Sequence, residues 1–138
     1  MATWQVHISL KKAVPDQTLS ESFLNSLQVL SKVLPKEESW SANTMQYGKI
    51  DETCIEIDYE DDLILEIAVR LDLRTLSKKL LQAICDFASS NDLRISSKAG
   101  LIVPNLENLL LILQNSPAWR FVKNPMGFLQ NISENNNH

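Results

Sequence analysis

Histidine is the commonest starting point for a general base or a metal ligand, and this chain of 138 residues offers only His7 and the terminal His138. His7 stands on the polar side of an alternating run, where Glu66 or Asp72 would have to orient it for proton transfer. A surface histidine satisfied by a neighbour uses the same residue types. The two thiols, Cys54 and Cys85, lie in no C-x-x-C pair and beside no histidine, and Cys85 follows Ile84 in an apolar stretch that calls for packing rather than nucleophilic attack. Gly48, Gly100 and Gly127 are isolated, so no loop cradles a phosphate. Asp58, Glu60, Asp61 and Asp62 have the charge of a calcium loop but lack its central glycine and distal glutamate. No catalytic constellation, metal site or cofactor is expected, and the chain reads as non-enzymatic.

The charge pattern is more specific. Between Asp51 and Asp62 lie Asp51, Glu52, Glu56, Asp58, Glu60, Asp61 and Asp62, without a single Lys or Arg. One reading is a solvated hairpin whose charges discourage edge-to-edge pairing. The other is an electrostatic lure for a basic protein, since complementary charge speeds encounter and selects partners. On that reading Glu56, Asp58, Glu60, Asp61 and Asp62 contact the partner, with Arg70 and Arg74 as secondary contacts. Glu66, Arg70, Asp72 and Arg74 interleave signs in the way that steadies a half-exposed sheet face. An alternative is a small-molecule-binding or enzymatic domain in which His7, Glu66 and Arg70 converge on a ligand.

These side chains must be positioned by the elements around them. Trp4, Val6, Ile8 and Leu10 alternate with polar residues and predict a strand. After a turn through Val14, Pro15 and Asp16, Thr18 and Glu21 form a capping box for a helix that carries Phe23, Leu24, Leu27, Leu30 and Leu34 and stops at Pro35. The segment from Lys36 to Gly48 reads as a short strand or a covering loop, with the balance toward a strand. From Glu52 to Leu71 two alternating runs flank Glu60-Asp61-Asp62, which predicts a long hairpin with Leu63, Leu65, Ile67, Val69 and Leu71 on one face. A second helix is expected from about Thr75 through Phe87, then short strands at Leu93–Ser97 and Leu101–Val103. A Leu-rich helix follows from Leu106 to Leu113, with further helical turns that bury Trp119, Phe121, Phe128 and Ile132. This order is that of an α+β protein with a ferredoxin-like split βαβ sheet (β-α-β-β-α-β) and an added helical C-terminal region. Residues 1–134 are expected to form a single domain and 135–138 a frayed tail. The crossover rule sets the first strand beside the one from Leu63 to Leu73 and gathers His7, Glu66 and Arg70 on the face away from the two main helices.

Composition sets the outer limits. Hydrophobic residues make up 44% and charged residues 22%, which excludes a disordered or low-complexity chain. Thirteen basic against 17 acidic residues leave a net charge of −4, the wrong sign for a nucleic-acid binder. No apolar run approaches the ~18 residues of a membrane span, and the alternating N-terminus does not read as a signal peptide. The expected location is the cytoplasm, with no nucleic-acid and no membrane partner. Homo-oligomerisation through a sheet edge or the C-terminal helices is compatible with either functional reading.

Tyr47-Gly48 with Ile50-Asp51, Cys54-Ile55-Glu56-Ile57, the run from Glu66 to Arg74, Asn115-Ser116-Pro117-Ala118-Trp119-Arg120-Phe121-Val122, Asn124-Pro125 and Phe128-Leu129 together form a spacing. It resembles that of small bacterial proteins grouped with the immunity proteins of polymorphic toxin systems, over about the last two thirds of the chain. The resemblance implies a protein that binds and neutralises a cognate toxin, and it implies no catalytic residue.

Overall fold

The computed structural model describes residues 3–12, 18–122, 125–127 and 129–130. The expected turn at Val14, Pro15 and Asp16, the burial of Phe128 and Ile132, and the tail over 135–138 lie outside the described residues. Alternation in the N-terminal run forms strand β1 (Gln5–Lys12), with Val6, Ile8 and Leu10 buried. It is followed by α1 (Glu21–Leu30), β2 (Lys36–Glu37), β3 (Thr44–Tyr47), β4 (Cys54–Glu60) and β5 (Leu63–Asp72). Then come α2 (Lys78–Ser90), β6 (Leu93–Ser97), β7 (Gly100–Ile102), α3 (Leu106–Gln114) and a 3-10 helix (Pro117–Phe121). The strands form one seven-stranded antiparallel sheet in the order β2-β3-β4-β5-β1-β6-β7, so the fold is α+β.

Period two divides that sheet into an apolar and a polar face. Ile8, Leu10, Ile55, Ile57, Ile67, Val69, Leu71, Leu93 and Ile95 share one core with Phe23, Leu27 and Leu30 of α1, Leu81, Ile84 and Phe87 of α2, and Leu109 and Leu113 of α3. Phe23 meets Phe87 edge to face at 5.6 Å between ring centroids, which fixes α1 against α2. These helices share that core with the apolar side of the sheet. No helix among the described residues is long and apolar enough to cross a membrane.

Three expectations need correction. The α1 cap is Ser20, whose hydroxyl accepts from the Phe23 amide at 3.1 Å. Thr18 is instead bridged to Leu63, and the Leu19 amide donates to the Asp62 carbonyl at 2.8 Å, so the chain before α1 is tied to the tip of the β4–β5 hairpin. Helix α1 ends at Leu30, with Val33 already bonded in 3-10 fashion to the Leu30 carbonyl; Leu34 still reaches the core from the turn. Helix α2 starts at Lys78 rather than near Thr75, because the Asp72 carboxylate and carbonyl first capture the Arg74 and Thr75 amides.

The hairpin departs from simple alternation as well. Asp58 faces Glu66 but Tyr59 faces Ile64, so Leu65 is an extra, unpaired residue: a β-bulge. Leu63 and Leu65, expected in the core, are 40% and 58% exposed, while Ile64 packs inward. The segment from Lys36 to Gly48 resolves into two short strands joined by a loop that carries Trp40.

Candidate functional site

On the polar face the register aligns His7, Arg70 and Cys54 across three neighbouring strands, with Ser9, Ala68, Glu56 and Gln46 in the next row and Glu66, Asp58 and Thr44 beyond it. Ala68 is small, so Arg70 extends diagonally to Glu56, with 3.1 Å between the guanidinium and the Oε1 carboxylate oxygen. The Arg70 Nε–H also donates to His7 Nε2 at 2.9 Å. That bond requires a neutral imidazole with its proton on Nδ1. Burial, and secondarily the Arg70 cation, lower the His7 pKa from its ordinary 6.5 and favour that form. The second Glu56 oxygen accepts from Trp40 Nε1 at 3.4 Å, although the Trp40 residue is 76% exposed.

Both thiols are buried, and burial raises each pKa to about 11; for Cys54 the adjacent Arg70 opposes that rise without cancelling it. Each is a protonated thiol at neutral pH. Among the described residues no three His, Cys, Asp or Glu side chains are grouped to hold a metal ion.

The acidic end of this face is a different environment. Asp58 and Glu66 lie directly opposite each other, an unfavourable like-charge pair. Asp58 accepts from the Thr44 hydroxyl at 2.7 Å. Among the described residues ion pairs are made by Arg70 with Glu56 and by Arg74 with Asp72, so neither Asp58 nor Glu66 has a basic partner, nor do the exposed Glu60, Asp61 and Asp62. Asp61 holds φ at +52°, a left-handed value that aspartate tolerates better than most residues, and the bonds to residues 18 and 19 anchor the turn. The bulged Leu65 and exposed Leu63 add apolar surface beside these carboxylates.

The residues expected to contact a partner therefore divide into three groups. Asp58, Glu60, Asp61 and Asp62 gather at the exposed end, whereas Glu56 and Arg70 pair with each other in the middle of the face. Arg74 is set apart: it clasps the fully buried Asp72 through two bonds, at 3.0 and 2.9 Å, and lies 3.9 Å from the centre of the Trp4 ring. Trp4 in turn donates to the Asp51 carbonyl, and Gln5 donates to the carbonyls of Ile50 and Glu52, so the loop from Gly48 to Thr53 folds over that end of the sheet. Gly48 makes the loop possible: its φ is +83°, and a Cβ there would overlap the Thr53 carbonyl oxygen.

Sequence reasoning missed Trp40 and the exposure of Leu65. The signal for the bulge was present, since Leu63-Ile64-Leu65 puts three apolar residues in succession where period two allows alternate ones. Trp40, between two serines, carried no comparable signal.

The geometry defines an α+β protein whose polar sheet face buries Thr44, Gln46, Cys54 and Glu56 and is acidic and apolar at its exposed end. No protein-family model matches the chain, and no curated protein or solved structure is significantly similar to it.

Proposed function

We propose that this chain is a non-enzymatic protein-binding domain that docks a basic protein on the acidic end of its polar sheet face, in the manner of an immunity-type inhibitor of a basic toxin. The observation that carries this reading is the opposed Asp58 and Glu66, without a basic partner among the described residues and continuous with Glu60, Asp61 and Asp62, beside exposed Leu65 and Trp40. A partner's Lys and Arg side chains supply the missing countercharge, and the aromatic and aliphatic groups supply the desolvated anchors that dominate interface energy. Glu56 and Arg70 act as a frame that orients Trp40, and Arg74 serves the fold. The protonated thiols and the His7 ring held as an acceptor support the non-enzymatic reading.

The fold within this proposal is a ferredoxin-like core extended at both edges. The inner strand order β4-β5-β1-β6, with α1 between β1 and the β4–β5 hairpin and α2 between β5 and β6, supports it. The free, buried cysteines agree with action in the cytoplasm.

Capture from lysate of the source organism tests the proposal, using the immobilised native chain beside a form carrying E60K, D62K and E66K. These three residues are exposed, so the substitutions should leave the fold intact. A basic protein retained at low salt by the native form alone is the expected result. Equal retention by both forms rejects the acidic end as the site, and retention by neither rejects the proposal.

A further inference from the structure

A recess lies beside the N-terminal half of β1. Strand β6 pairs with β1 only from Ser9 onward, so the Gln5–Ile8 half of β1 has no strand on that side. There the 3-10 helix approaches, leaving a groove of about 430 Å³ lined by Thr3, Val6, His7, Pro117, Ala118 and Arg120, among others. That volume is within the range of small-molecule sites. Val6, Pro117 and Ala118 give it an apolar wall, and no acidic side chain among the described residues lines it.

Its two strongest polar groups are both donors. The Arg120 guanidinium lies 5.0 Å from the centre of the Phe121 ring and has no hydrogen bond or ion pair among the described residues. The arginine fork matches a carboxylate through two parallel bonds. His7 has its Nε2 committed to Arg70, so its Nδ1–H is a second donor without a partner among the described residues. A single anionic head with a short apolar body satisfies all of these features. Inorganic phosphate answers only the charge, and a neutral alcohol answers only the apolar wall.

We propose that the groove between β1 and the 3-10 helix binds a small organic carboxylate, its head on Arg120 and His7 and its apolar body against Val6, Pro117 and Ala118. This site is independent of the acidic end of the sheet and stands or falls without it.

The test is a titration of the isotopically labelled full chain with hexanoate, hexan-1-ol and inorganic phosphate in parallel, followed by amide and side-chain NMR shifts. Hexanoate is expected to give saturable shifts at Val6, His7, Ala118 and Arg120, with the alcohol and phosphate each about tenfold weaker or more. R120Q should weaken hexanoate about tenfold and leave the alcohol unchanged, and R120K, which keeps the charge but loses the fork, should fall between. Arg120 is exposed, so unaltered spectra elsewhere in these variants report an intact fold. The proposal is overturned by shifts that do not saturate, by phosphate binding as tightly as hexanoate, or by an R120Q form that binds hexanoate like the native chain.

Discussion

Removing Arg70 takes the countercharge from a carboxylate that water reaches poorly. The Arg70 and Glu56 side chains are 23% and 11% exposed, so the pair lies between a surface bridge, worth about 0–1 kcal/mol, and a fully buried one, whose breakage costs about 3–5 kcal/mol. Arg70→Met leaves Glu56 with the long bond from Trp40 and His7 without its donor, for an expected loss of about 2 kcal/mol, or roughly 6 °C in melting temperature. Glu56→Gln keeps the shape and an acceptor, and should lose about 1 kcal/mol. The double variant relieves the unpaired charge that R70M creates, so its loss should fall below the sum of the two singles by about 1 kcal/mol. Urea unfolding of the four proteins, followed by circular dichroism with the slopes compared, measures that coupling. A coupling below about 0.3 kcal/mol would mean that the two groups act independently, and would refute the placement of this pair at the centre of the polar face.

His7 has a folded-state pKa below its ordinary 6.5, so its contribution to stability is fully present above pH 6.5 and is lost as pH falls through the lowered value. The urea midpoint of the native chain should therefore fall between pH 7 and 5 more than that of H7F; an equal or smaller fall contradicts the Arg70–His7 bond. Gly48→Ala should destabilise by about 2 kcal/mol or more, read from thermal melts, because the left-handed backbone and the Thr53 carbonyl both exclude a Cβ. A change within about 0.5 kcal/mol would show that the loop is placed wrongly. With pKa values of about 11, Cys54 and Cys85 are thiolates in only ~10⁻⁴ of molecules at neutral pH. Both should react with a disulfide reagent far more slowly in the native chain than in urea, and rapid native labelling of either would overturn its burial.

The α+β class and the main strands and helices were legible because period-two and helical spacing of apolar residues are driven by burial, which the structure obeys at Val6, Ile8, Phe23, Leu27, Ile55, Ile57, Ile84 and Phe87. The ends of elements were less legible, because they are decided by competing bonds. Thr18 and Glu21 satisfy a capping pattern, yet Thr18 is held by a strand distant in sequence, and Asp72 takes the amides that would have started α2 earlier. The candidate site was half legible. A run of carboxylates announces a field but not which carboxylates are free: pairing across strands ties Glu56 to Arg70, and a local clasp ties Arg74 to the buried Asp72. The exposure of Leu65 beside the acids arises from one unpaired residue in a ladder, a consequence of register that composition does not encode.

The central claim is that the acidic end of the sheet receives a basic protein. It is tested most directly by the ionic-strength dependence of the association rate between the captured partner and the chain, native beside E60K/D62K/E66K, in stopped-flow mixing. The native rate should fall steeply with added salt while the charge-reversed form associates more slowly at every salt, with the native chain's downward slope lost. Identical rates and identical salt dependence in the two forms would contradict the claim.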